Sequence, residues 1–497
     1  MTIFGLLTLA TLAFITLITF KVIIRPLLKM RFYKKQGIPC YYFPLIGVFF
    51  NNGKLFKKHG DFHYYNKIKA RKDPSPIFCT NFASDAVIYL NDPALVKEFY
   101  LNPENYMKDT WYLGLFTLLL GEGLITAEGN QWKKQRKVLS SAFHFELMKS
   151  MLPRIQATAH QNFFNLQKKS LNEINILSEF QKTTGQVIGK LFFGEQLDIL
   201  SFEGQHLTLG LAKLLVDISI HNASPERLFF GVGFIKLGLF KKHREIVQRI
   251  NSFREVCYST IQTRKKERAS QNGKSYSQDM LDLLLNSADN VNDEEIIDQF
   301  ISFFVAGMDT TSHLLTMVIY YLDKYPQHKV KMVEEINQIY KSNLVITLDD
   351  LNKQDFTISF IKETLRMMTP VTGVATRKVI KNHSLKDIVI RKGDSVNVEQ
   401  FYNNFNTNYF KDVDDFNPYR WMEKDHNLDA YVFIPFAAGP RNCIGQHLAM
   451  NEARIILAEF LTMYDFSINP EYDLKMNYKF IYEPVDPILL KLTPKQL

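Results

Sequence analysis

The stretch Phe436 to Gly445, FAAGPRNCIG, with the QHLAMNEARIILAEFL that follows it, decides how this 497-residue chain reads. A lone cysteine is more often a small buried hydrophobe than a ligand. Cys443 keeps different company. Gly439-Pro440 imposes a turn, and Gly445 lets the backbone come close to a flat group. Leu448, Ile455, Ile456 and Phe460 then recur at helical spacing. Cys443 is therefore predicted at a helix N-terminus, where exposed amides and the macrodipole stabilise a thiolate. Arg441 adds a cation two residues away.

Three further stretches carry chemistry. AGMDTT, Ala306 to Thr311, lies inside a long apolar helical pattern. It is a poor helix centre, since Gly costs about 1 kcal/mol against Ala and Asp and Thr are weak formers. The small pair Ala306-Gly307 leaves room beside the backbone, and Asp309-Thr310 can relay protons or hold a water. ETLR puts Glu363 and Arg366 at i,i+3 on one helix face, where they can pair. WKKQR puts Trp132 and Arg136 at i,i+4, an indole N–H and a guanidinium that can both bind a carboxylate. Taken alone, ETLR reads as a surface ion pair, and a plain amphipathic helix explains WKKQR equally well.

A thiolate such as that expected of Cys443 is a strong, electron-donating axial ligand for an iron porphyrin. The pattern FxxGxRxCxG, present as Phe436, Gly439, Arg441, Cys443 and Gly445, resembles the haem-binding loop of the cytochrome P450 superfamily. That resemblance runs through essentially the whole chain in the right order, and it implies a role for each motif. Cys443 would hold the iron of haem b. Ala306, Asp309 and Thr310 match the oxygen-activation motif of the distal helix, with Thr310 holding the oxygen and water network and Asp309 feeding in protons. Trp132, Arg136, Arg377 and Arg441 would meet the haem propionates. Glu363 and Arg366 would join Arg420 of FNPYRW in a buried structural network. The chain departs from the family in its hinge, which has only Pro39 and Pro44 where relatives often carry a denser proline cluster.

Charge separates this chain from nucleic-acid binders. The net +9 arises before Asp61, the first acid, where nine Lys and Arg residues stand; the remaining 51 bases balance 51 acids. Residues 2–20 are uncharged, and with Val22-Ile23-Ile24 the apolar run reaches the roughly 20 residues that cross a bilayer. The basic cluster on its C-terminal side predicts a cytosolic catalytic domain. A cleaved signal peptide would have a basic start and a small-residue cleavage site, and neither is clear. The division expected is an anchor at 1–24, a basic collar and proline hinge at 25–50, and a haem-binding catalytic domain at 51–497. Cys40, Cys79, Cys257 and Cys443 form no CxxC pair, which suits a reducing cytosol. The sequons at Asn222 and Asn382 should then stay unmodified.

Apolar spacing predicts helices near 130–150, 154–169, 174–193, 204–220, 241–264, 293–324, 326–340, 356–368 and 446–463. Strand-like runs fall at 77–80, 86–90, 384–390 and in the C-terminal tail. The fold class is mainly α with a minor β-sheet portion. By resemblance it is a P450-like fold, with haem between distal and proximal helices behind a transmembrane anchor. Residues 264–278 read as a solvated connector. LFFGVGFIKLGLF, 228–240, reads either as a buried loop or as an apolar lip at the bilayer. Candidate substrate-lining residues are Trp111, Leu113, Phe116, Phe303, Phe304, Val305 and 371–375.

No G-x-G-x-x-G follows a strand, so nicotinamide and flavin sites are not apparent. The expected activity is monooxygenation of a lipophilic molecule. The resemblance implies electrons from NADPH-cytochrome P450 reductase, with cytochrome b5 as a second donor, at the endoplasmic reticulum membrane. A P450-like peroxide isomerase or dehydratase would have little use for Asp309-Thr310. A non-catalytic, membrane-tethered haem or lipid binder is the other alternative.

Overall fold

A computed structural model describes residues 3–495, apart from 45–46, 73, 83–84, 141–142, 144, 271–278, 287–290, 341–344, 373–375, 424–427 and 480. Its axis is the helix Asp293–Lys324, the segment that holds AGMDTT. An Asn292–Glu295 capping box and three acids in the first turn start it, satisfying amides that have no partner within the helix. Beyond that turn it is buried on nearly every side, polar residues included, except near Ala306. The helix Ile176–Phe193 packs closely along it. A Cβ on Gly307 would lie 2.9 Å from Ile188, and one on Gly185 would lie 3.2 Å from Met308, so glycine sets the approach.

A six-stranded sheet lies beside this helical body. Its order is Cys40–Tyr41, Ile77–Phe82, Asp85–Leu90, Ser395–Asn397, Arg377–Val379 and Tyr106–Lys108. The last pairing is antiparallel and sets Lys108 directly opposite Arg377. The C-terminal tail adds the pair Tyr464–Ile468 and Leu489–Pro494 and the small hairpin Met476–Tyr478 and Tyr482–Pro484.

Three sequence expectations change. The helix expected over 130–150 is two, Gly129–Ser140 and Phe145–Leu166. The second runs straight through Pro153, in the gap left between the predicted helices 130–150 and 154–169, because Leu152, Ile155, Ala159 and Phe163 are all buried in the core and the helix lies along Gln446–Met463. That packing outweighs the lost backbone bond. The connector at 264–278 begins as helix through Ser270, and Arg264 is buried against Asp279 at 2.7 Å; 271–278 lie outside the described residues. The segment 228–240 is no buried loop, since Phe229, Phe230, Leu237, Leu239 and Phe240 are exposed along and beyond the helix Pro225–Lys236.

At the N-terminus, Ile3–Thr19 is helical and passes through a π-turn at Phe20–Ile24 into Arg25–Lys34. Among the described residues, Thr11–Lys34 is the one helical stretch long and apolar enough to cross a membrane, with mean hydropathy 1.8 and little burial. Part of the basic collar serves the protein itself. Lys29 Nζ lies 2.8 Å from both Asp85 and Asp394, and Arg25 lies 3.3 Å from Asp85.

Candidate haem-thiolate site

The loop 436–445 is held by its own backbone. The Cys443 N–H donates to Phe436 O at 2.9 Å, and the Asn442 N–H donates to Gly439 O at 3.1 Å across a short 3₁₀ turn. Gly439 has φ +66°, and a Cβ there would sit 2.6 Å from Tyr100 O, so the position requires glycine. Ala437 is also left-handed, at φ +58°, a costly conformation for a residue with a Cβ. The helix Gln446–Met463 starts directly after Gly445, as the sequence predicted.

Cys443 is the exposed cysteine of the four, although the fold is packed closely around its loop. Burial pushes its thiol up, while a Gly445 N–H bond and the nearby Arg136 cation pull it down. Burial wins. The helix N-terminus alone therefore does not make the thiolate, and a cation bound to sulfur would have to complete it.

Around the loop stands a rim of cations. Arg136 donates to Asn442 O and to Asn442 Oδ1, both at 2.8 Å. Arg441 lies over the Trp132 ring at 4.3 Å, donates to Ala127 O at 3.0 Å and pairs with Glu128. Arg377 meets Lys108 across the sheet edge. Burial, and then the charges of Arg377 and Arg441, hold the Lys108 ammonium well below its usual range, with Glu128 opposing. Burial also lowers Arg377 and Arg441. A set of bases this crowded around one carboxylate suits a further anion of more than one charge. Lys108 escaped the sequence reading because it belongs to no motif; only its pairing with Arg377 reveals it.

On the other side, Phe143 joins the loop to the central helix. Its ring stacks on Phe303 at 5.6 Å and lies 3.8 Å from where a Gly445 Cβ would sit. One turn beyond Phe303, on the same helix face, Ala306 is exposed although its neighbours Phe304, Val305 and Met308 are fully buried. The room expected beside Ala306-Gly307 is therefore at Ala306, since Ile188 fills the space against Gly307. Thr310 Oγ1 donates to Ala306 O at 2.6 Å, and Asp309 is buried and accepts from Gln181 at 3.0 Å. A soft sulfur donor, a cationic rim and an uncovered alanine suit a flat, dianionic iron porphyrin.

The family model described as Cytochrome P450 matches residues 42–492. The chain belongs to the cytochrome P450 family. It is a haem enzyme and a P450 monooxygenase. It is 29% identical to the Cytokinin hydroxylase of Arabidopsis thaliana, over 78% of this chain and 76% of that one. It is 26% identical to the human Ultra-long-chain fatty acid omega-hydroxylase, over 78% and 75%. It is 27% identical to Cytochrome P450 3A2 of Rattus norvegicus, over 93% and 92%. The solved haem domain of cytochrome P450DA superposes with a TM-score of 0.77 at 22% identity, covering 92% of this chain and 98% of that one, and shows the shared fold.

Within this P450 the Glu363 network forms as expected. Glu363 and Arg366 are fully buried and joined by bonds of 2.8 and 3.0 Å; Arg420 adds a third at 3.1 Å. Trp421 Nε1 and the Asn417 N–H, from the same FNPYRW segment, also donate to this carboxylate, at 2.9 and 3.0 Å. The candidate lining residues divide. Phe303 joins the Phe143 and Phe192 rings, Phe304 packs on Phe300 in the core, and Trp111 carries Arg227 at 4.6 Å over its ring. Residues 373–375 lie outside the described residues.

Proposed function

We propose that Cys443 is the axial thiolate of haem b and that the enzyme inserts one oxygen atom of O₂ into a lipophilic substrate, reducing the other to water. The observation that carries this reading is the exposed Cys443 side chain on a loop braced by Arg136 and by Arg441, which lies over the Trp132 ring. Haem, when bound, supplies dioxygen activation by a thiolate-ligated iron. Trp132, Arg136, Arg377 and Arg441, with Lys108, would hold its propionates by charge-assisted bonds. Phe436, Gly439 and Gly445 shape the loop, and Ala306 keeps the facing helix clear. Thr310 holds a hydroxyl beside the site, and Asp309 is its proton source.

The reading extends to NADPH-cytochrome P450 reductase as electron donor, with cytochrome b5 as a second donor. The apolar rings around Phe303, and a relative named for an ultra-long-chain fatty acid, support the lipophilic substrate class. We place 1–24 as a single-pass anchor of the endoplasmic reticulum membrane, 25–50 as collar and hinge, and 51–497 as a cytosolic catalytic domain. The exposed Phe229, Phe230, Leu237, Leu239 and Phe240 support membrane contact, and Phe230 lies 6.5 Å from Phe14 of the N-terminal helix.

The first test is the spectrum of the reduced protein under carbon monoxide. Wild type is expected to show a Soret band strongly red-shifted from that of a histidine-ligated haem, and Cys443→Ala to lack it. An ordinary Soret position in wild type would remove Cys443 as the ligand. For the anchor, full-length protein should stay with alkaline-extracted vesicles, and a chain lacking residues 2–20 should be released. Retention of the truncated chain would place the anchoring elsewhere.

A further inference from the structure

Asp309 is buried, and its way out is made of side chains. His313, one turn further along the same helix, is 2% exposed. Its Nδ1 lies 2.7 Å from Asp309 O and 3.6 Å from Asp309 Oδ1, and its Nε2 lies 3.1 Å from Glu483 Oε2. Glu483 stands on the strand Tyr482–Pro484, and its other oxygen takes Lys479 Nζ at 2.6 Å. Glu483, Lys479, Gln181 and Thr316 all line one open surface cleft. Three links thus run from the cleft to the acid of the site: Lys479 to Glu483, Glu483 to His313 and His313 to Asp309.

The charges favour inward transfer. Burial opposes a charged His313 ring, but Asp309 and Glu483 on either side outweigh it and raise its proton affinity. Burial likewise raises Asp309, with Glu483 adding to it and His313 opposing. Glu483, despite burial, is held below the usual carboxylate range by His313 and Lys479. The other charged groups on the cleft are Lys213, Asp217, Arg249 and Asp486, of which Asp217 and Arg249 pair with each other.

We propose that His313 positions Asp309 and passes protons to it, with Glu483 and Lys479 as the intake from the surface cleft. This rests on the reading of Asp309 as the proton source of the site. A proton from cleft water enters at Glu483 Oε2 and moves to His313 Nε2. The Nδ1 proton then moves to Asp309 Oδ1 after a small swing closes the 3.6 Å gap. One proton enters for each that leaves, and a ring turn or tautomer exchange restores the imidazole.

The test uses the full-length, haem-loaded protein and its His313→Gln and Glu483→Gln variants, with reductase, NADPH and lauric acid as probe. Peroxide released per NADPH is measured across pH. Carboxyl stretching bands are followed by infrared titration, with Asp309→Asn to assign the Asp309 band. Both variants should keep the red-shifted carbon monoxide band. His313→Gln should slow proton-dependent NADPH use about tenfold or more. It should also raise the peroxide share and flatten the pH profile. Removing His313, which opposes the upward push of burial on Asp309, should move the Asp309 carboxyl titration to higher pH, a shift that packing alone would not produce. Should His313→Gln hold no haem, Glu483→Gln carries the NADPH, peroxide and pH-profile measurements. Variants with the wild-type peroxide share, pH profile and Asp309 titration would overturn the relay alone. A wild type without the red-shifted band would overturn the thiolate reading and the relay with it.

Discussion

Glu363→Gln is expected to destabilise the fold by about 3–5 kcal/mol, the cost of stranding a buried charge partner. Glu363 accepts bonds from Arg366, Arg420, Trp421 and the Asn417 amide, and neither guanidinium has water to turn to: Arg366 is 0% exposed and Arg420 6%. Their remaining bonds go to carbonyls of Asn404, Lys411, Asp412, Val413 and Asp415. Neutralising the carboxyl therefore leaves two cations among dipoles. Domains are stable by about 5–15 kcal/mol, so most of the margin would go. The check is the recovery of folded, haem-loaded protein and the urea midpoint by circular dichroism. Glu245→Gln, which breaks an exposed pair 3.6 Å from Lys241, serves as control and should leave the midpoint in place. A wild-type midpoint in Glu363→Gln would mean that the two arginines are satisfied without it.

Gly439→Ala is the second large effect. A left-handed alanine costs about 1–2 kcal/mol before any contact is counted. Here the new Cβ would also lie 2.6 Å from Tyr100 O and 3.1 Å from Tyr100 C, backbone atoms that cannot turn aside as a flexible side chain can. The turn must open, which carries the Asn442 bond to Gly439 O with it and shifts Cys443, four residues on. Haem content should fall sharply, measured as the Soret-to-protein absorbance ratio. Gly445→Ala provides the contrast: φ there is −88°, and only the Phe143 ring comes near, at 3.8 Å. It should leave the melting temperature of the haem-free protein unchanged. Equal haem content in Gly439→Ala and wild type would show that the loop can form without its left-handed turn.

The sequence by itself determined the helical periodicity, the apolar N-terminal run and the spacing of every motif. These are local properties, written in residues a few positions apart. FAAGPRNCIG contains its own turn, its own helix start and its own cysteine. Tertiary structure decided the rest, because the remaining partners are far apart in the chain. Lys108 meets Arg377 only through strand pairing, and Trp421 reaches Glu363 only after the loop folds back. Pro153 stays helical because the core around Leu152, Ile155 and Phe163 outweighs a local breaker. The protonation of Cys443 belongs here too. The sequence places it before a helix, where a thiolate is favoured, but desolvation in the folded interior outweighs that local dipole. Desolvation depends on everything packed around the sulfur, and no window of sequence contains that sum.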